Sequence, residues 1–194
     1  MFIDLTVTID RTRISETQPL SKLGHLGTHF DVMDKTFPLE YIRSVGRLID
    51  ISHLRDREVV PGDIGVPIAR DEFIIFRTDY AIDIGYGGRD YNFKSAELSD
   101  EVVTHLLDKG VRLIGVDAAS IQKPAKHLHV DRRCAEHNVF VVENLCNLDA
   151  LANAVVEQAF TVYCAPLNVV GLTGLPCRVV ADTKDAGGGE QSST

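Results

Sequence analysis

The strongest constraint on the fold is a set of short apolar runs of strand length: Phe73-Ile74-Ile75-Phe76, Leu113-Ile114-Gly115-Val116 and Val139-Phe140-Val141-Val142. A strand with one wet face alternates apolar and polar residues, so an unbroken run points to a strand covered on both sides. Leu48-Ile49-Asp50-Ile51, Phe160–Tyr163 and Arg178–Ala181 are further strand candidates, and Pro61–Gly65 reads as a turn. Between the runs lies a helix signal. Ser99 suits the N-cap, Asp100 and Glu101 the first turn, Val102, Val103, Leu106 and Leu107 form one apolar face, and Gly110 follows as terminator. A second, short helix is expected over Asp131–Glu136. Strands alternating with helices predict an α/β fold, a sheet covered by helices.

At the N-terminus, Phe2–Ile9 alternates and reads as a half-buried strand. Asp83–Phe93 is rich in glycine and aromatic residues but fits neither G-x-G-x-x-G nor a Walker pattern. It reads as a mobile loop that covers a site, exchanges with a partner subunit or simply lies on the surface. Residues 185–194 read as a flexible tail after one domain over 1–184.

The 194 residues include 44% hydrophobic and 25% charged side chains, enough apolar material for one sizeable core. The formal charge is −8, and the nearest approaches to a basic cluster, Arg55-Asp56-Arg57 and Arg132-Arg133, sit beside acids. A nucleic-acid partner, which requires a basic face, is therefore not expected. No apolar run approaches the roughly 18 residues of a membrane span, and Met1–Leu5 lacks the basic start of a signal peptide; a cytoplasmic protein is expected. The four cysteines form no C-x-x-C pair and are expected to pack as reduced thiols.

The local chemistry concentrates in His25-Leu26-Gly27-Thr28-His29-Phe30-Asp31. Imidazole nitrogen and carboxylate oxygen suit zinc, manganese or iron. Two histidines separated by three residues, with a carboxylate two further on, can converge on one ion from a tight turn or a helical first turn. Gly27 permits close backbone approach, and Thr28 is expected to hold the backbone of the motif.

This segment resembles the H-x-G-T-H-x-D signature of the cyclase family, the group of bacterial kynurenine formamidase and isatin hydrolase. Four later elements resemble that family in order: Arg77-Thr78, Leu113–Asp117 with Ser120, Val141–Leu148 and Gly174–Ala181, so that the likeness runs over about residues 2–182. The resemblance implies one domain of the swivelling β/α/β type with a mixed sheet and flanking helices. It implies a homodimer or homotetramer and metal-assisted hydrolysis of an amide or ester in a small-molecule substrate, of N-formylkynurenine or cyclic-amide type. His25, His29 and Asp31 carry over as ligands of one divalent ion, zinc or manganese, and Glu143 as a second-site carboxylate.

Two positions depart from the family pattern. Lys35 stands where the family has a ligating histidine, and Asp131 stands at another, twelve residues before Glu143. His127 and His129 lie close enough in sequence to substitute. The departures predict a single metal, with the Lys35 ammonium in place of a second ion and Glu143 or Asp131 moving the proton. They also leave a rival reading: a small-molecule binding protein of the same fold, or a lactonase or lyase.

Overall fold

The computed structural model of the protein describes residues 1–10, 12, 20–54, 57–88, 90–93, 96–155 and 159–184. The tail expected over 185–194, the segment 13–19 and Arg55-Asp56 lie outside the described residues. The elements in chain order are β1 (Phe2–Asp4), α1 (Leu20–Leu23), β2 (His29–Asp31), β3 (Arg43–Asp50), β4 (Glu72–Arg77), α2 (Tyr80–Asp83), α3 (Asp100–Lys109), β5 (Leu113–Val116), α4 (His127–Glu136), β6 (Phe140–Glu143), α5 (Leu148–Ala154), β7 (Phe160–Pro166) and β8 (Gly174–Asp182).

The apolar runs form the parallel block β3-β4-β5-β6. Antiparallel β2 joins β6 to β8, and β7 joins β8 back to β3, so seven strands close into a ring with β1 attached to β8. The architecture is thus a mixed α/β domain built on a closed, barrel-like sheet.

Both faces of β4, β5 and β6 are buried, which is why their sequences do not alternate, whereas β3 keeps exposed positions such as Val45. Phe73, Ile75, Phe140 and Val142 join Phe30, Phe160, Val162 and Val179 in one cluster, across the strands of the ring. Their neighbours Ile74, Phe76, Ile114 and Val141 meet Val102, Leu106, Val130 and Cys134 of α3 and α4 in the other. Helix α3 is as predicted, with Ser99 Oγ accepting from the Val102 N–H at 3.3 Å.

Three expectations change. The first strand is three residues long, because the chain leaves β8 and Thr6 bridges Leu145 instead. Helix α4 begins at His127, one turn earlier than expected; its N-cap Lys126 makes no side-chain cap bond, so no capping signal marks the start. For the glycine-rich segment the choice among the alternatives narrows to contact with the histidine motif: Tyr91 is buried, and the Gly27 N–H donates to Tyr86 Oη at 2.8 Å.

Asp117, just past β5, ties the ends of two strands. Its carboxylate accepts from the Thr78 N–H (2.7 Å), the Thr78 hydroxyl (2.6 Å) and the Asp79 N–H (3.0 Å), while burial pushes its pKa upward. Asp117→Ala leaves these buried donors unmet. An unfolding free energy lower by about 2–4 kcal/mol is expected in denaturant titration. A loss below about 0.5 kcal/mol would show that water replaces the carboxylate.

Candidate metal centre

His29 and Asp31 are two residues apart on a strand and therefore share a face. The motif is thus no helical turn: a turn carries His25, and a strand carries His29 and Asp31. Gly27, at φ 67°, turns the chain, and β2 then runs between β6 and β8. His29 pairs in register with Glu143 and Asp31 with Val141, on the sheet face turned toward α4. His25 reaches the same point from the turn ahead of the strand. Its close fit needs Gly174, where a Cβ would lie 2.8 Å from the His25 ring.

The three expected ligands converge. His25 Nδ1 is 3.0 Å from His29 Nε2 and 3.2 Å from Asp31 Oδ1, and His29 Nε2 is 3.6 Å from Asp31 Oδ1. The outer nitrogen of each ring is engaged elsewhere. His29 Nδ1 lies 2.9 Å from the Gly27 carbonyl, which can only accept, so that nitrogen carries the proton; His25 Nε2 bonds Thr173 Oγ1 at 2.9 Å. The inner nitrogens are thereby turned to the centre, the orientation that outer hydrogen bonds impose on ligating histidines.

Glu143 closes the centre, with Oε2 3.5 Å from His29 Nε2. The arginines at the end of β4 and within β8 are engaged away from it: Arg77 pairs with Asp79 and Asp50, and Arg178 with Asp4. From α4, His127 Nε2 lies 2.9 Å from Glu143 Oε1 and 3.1 Å from Asp131 Oδ2. The longer helix explains this contact, since it sets His127 one turn from Asp131 on the same face. His129 is exposed and takes no part. Lys35 is not at the centre. The left-handed backbone of Met33 (φ 55°) turns the chain away, and the Lys35 ammonium sits 3.3 Å from Asp34 beside a separate groove.

Among the described residues, two groups have ligand atoms within 4.8 Å of one another and could hold a metal ion: His25, His29 and Asp31, and Asp31, His127, Asp131 and Glu143. Asp31 Oδ1 and Oδ2, Asp131 Oδ1 and Glu143 Oε1 are buried without a properly directed hydrogen bond, although a histidine nitrogen stands near. Buried carboxylate oxygens in that condition call for a cation.

The electrostatics agree. Burial opposes charge on His29, but Asp31 and then Glu143 outweigh it and raise the pKa to about 9. Burial first, and the Asp31 charge next, lift Glu143 to about 8; burial lifts Asp131 to about 6. The Asp131 and Glu143 carboxylates beside it push His127 up to about 11.

Asn144 and Thr173 were not assigned roles from sequence. Asn144 Nδ2 donates to the Gly27 carbonyl at 3.0 Å, and Thr28 donates to the Asn144 carbonyl at 2.6 Å, which fixes the motif's backbone as expected of Thr28. Asn144 lay within a matched element and so was findable. Thr173 lies in a loop with no sequence signal.

Residues 3–123 match the model of the family described as "Putative cyclase". No curated protein sequence matches the chain. Among solved structures, a potential metal-dependent hydrolase with cyclase activity superposes with a TM-score of 0.71 at 23% identity, covering 93% of this chain and 96% of that one. A protein from Bacillus stearothermophilus described as a predicted metal-dependent hydrolase gives 0.70 at 20% identity, covering 93% and 97%. Isatin hydrolase A from Labrenzia aggregata, bound to benzyl benzoate, gives 0.70 at 19% identity, covering 93% of each chain. At these identities the structural likeness is one of fold.

Proposed function

The chain belongs to the cyclase family, and from that premise we propose that it is a metal-dependent hydrolase of an amide or ester bond in a small molecule, of arylformamide or cyclic-amide type. The observation that carries this reading is the centre itself: two histidine nitrogens turned inward by outer hydrogen bonds, facing buried carboxylate oxygens that lack donors. His25 Nδ1, His29 Nε2 and an Asp31 oxygen would hold the ion, and this ligand set suits zinc or manganese. A divalent ion, when bound, supplies Lewis acidity toward a carbonyl oxygen and toward water at neutral pH.

The remaining groups set charge and carry protons. Asp31, Asp131 and Glu143 bring three negative charges into a buried site, and one divalent ion together with a protonated His127 neutralises them. His127 thus takes the compensating part first assigned to Lys35. Glu143 takes the proton of the nucleophilic water and returns it to the leaving nitrogen or oxygen. Asp131 holds His127 against it. The mouth above them is a cavity of about 280 Å³ lined by His25, Asp31, Met33, His127, Leu128 and Thr173, among others, a size for one small organic group. The same reading takes a homodimer or homotetramer as the assembly and the cytoplasm as its location. No helix among the described residues is long and apolar enough to cross a membrane.

The purified protein is expected to carry one equivalent of divalent metal by elemental analysis and to hydrolyse formanilide. A chelator should abolish turnover, and zinc or manganese should restore it. Neither metal uptake nor hydrolysis after zinc, manganese and iron supplementation would overturn the reading. Two tightly bound equivalents would make His127 a ligand and not the balancing charge.

A further inference from the structure

Beside the mouth of the centre lies a second and larger cavity, an apolar groove of about 580 Å³ between the segment after β2 and the connection from β7 to β8. Val32, Met33, Phe37, Leu39, Leu172 and Leu175 supply much of its lining. Its ionisable lining residues, Asp34 and Lys35, stand 3.3 Å apart and offset one another. The groove is therefore suited to an uncharged group.

Groove and mouth share Met33. Its left-handed backbone is uncommon for a residue other than glycine, asparagine or aspartate. The Val32 and Met33 N–H groups both donate to the Thr173 carbonyl, at 2.9 and 3.0 Å. The hydroxyl of the same Thr173 bonds His25 Nε2. One residue thus fixes both a candidate ligand and the backbone of the methionine that mouth and groove share.

We infer that the groove binds the non-reacting arm of the substrate, an uncharged alkyl or aryl group, and that Met33 at the junction selects which arms enter. This rests on the hydrolase reading above. The scissile bond sits in the mouth, and the arm crosses Met33 into the groove, whose volume falls in the range of small-molecule sites. A methionine suits such a junction because its side chain is unbranched and can reshape around different arms.

The test compares formanilide with 4-butylformanilide on the metal-loaded protein. Burying a four-carbon arm is expected to lower KM at least about 10-fold, with a smaller change in kcat. In Leu39→Asp and Leu172→Asp the KM ratio of the two substrates should fall toward one. Leu39 is 76% exposed, so its variant is expected to fold even where Leu172→Asp does not. Equal KM values for the two substrates on the unmodified protein would overturn the inference. So would a Leu39→Asp variant that splits an oligomer in sedimentation, since a second copy would then fill the groove. Calorimetry with 4-butylaniline and aniline separates the two proposals. If neither formanilide is hydrolysed, the hydrolase reading fails, and the presence or absence of tighter 4-butylaniline binding, lost in Leu39→Asp, still decides the groove.

Discussion

His29→Ala is expected to abolish stoichiometric metal binding and to lower kcat/KM by at least about 10³-fold, with the fold retained. Catalytic losses of this size correspond to about 4 kcal/mol of transition-state stabilisation. His29 sits at the middle of the centre, with Nε2 facing His25, Asp31 and Glu143 at 3.0, 3.6 and 3.5 Å. Alanine removes a ligand and also the ring that stands between Asp31 and Glu143, so two carboxylates are left facing each other. The flanking ladders of β2 to β6 and β8 are backbone bonds and do not depend on the ring. Elemental analysis and competition against a chelator read the metal, and circular dichroism reads the fold. A folded variant that keeps one equivalent with unchanged affinity would show that the seat lies elsewhere.

Glu143→Gln probes the proton carrier with almost no change in shape. It is expected to lower kcat by about 10²–10⁴-fold, the usual contribution of a positioned acid or base, with metal retained at the histidines and KM little altered. Glutamine still offers an oxygen to His127, but it neither takes nor gives a proton. The pH profile adds a readout that a purely structural role would not move. The limb controlled by Glu143 should disappear from kcat against pH. Near-normal turnover with bound metal would remove Glu143 from the mechanism and leave Asp131 as the carrier.

The candidate ligands were legible because their identity is local: His25, His29 and Asp31 fall within seven residues. Their geometry was not. β2 is three residues long and takes its extended form from β6 and β8, which lie far along the sequence. The apolar runs gave the parallel strands correctly, because two-sided burial removes alternation, but nothing local announces that β7 closes a ring onto β8. His127 was named beside His129 as a substitute ligand, but the uncapped helix start hid the turn of α4 that decides between them: read as loop, the segment did not say which one faces Glu143. Lys35 was placed by counting along a motif, and counting fails where the backbone reverses, as it does at Met33. The groove was not visible at all, since its two walls come from chain segments on either side of the fold.

The closed ring has a consequence for the life of the molecule before it is finished. Thr28 is fixed by Asn144, 116 positions later, and His25 by Thr173, 148 positions later. During synthesis, at about 5–20 residues per second, the histidine motif leaves the ribosome well ahead of β6 and β8 and waits several seconds for them. A nascent chain ending before β8 already owns every candidate ligand and still has no centre in which to hold them. Long-range pairings of this kind also make for slow folding, because chain ends must meet before any contact rewards them. The site proposed to hold a cation is thereby assembled only once β8 is in place, so its ligands come together late although most of them are made early.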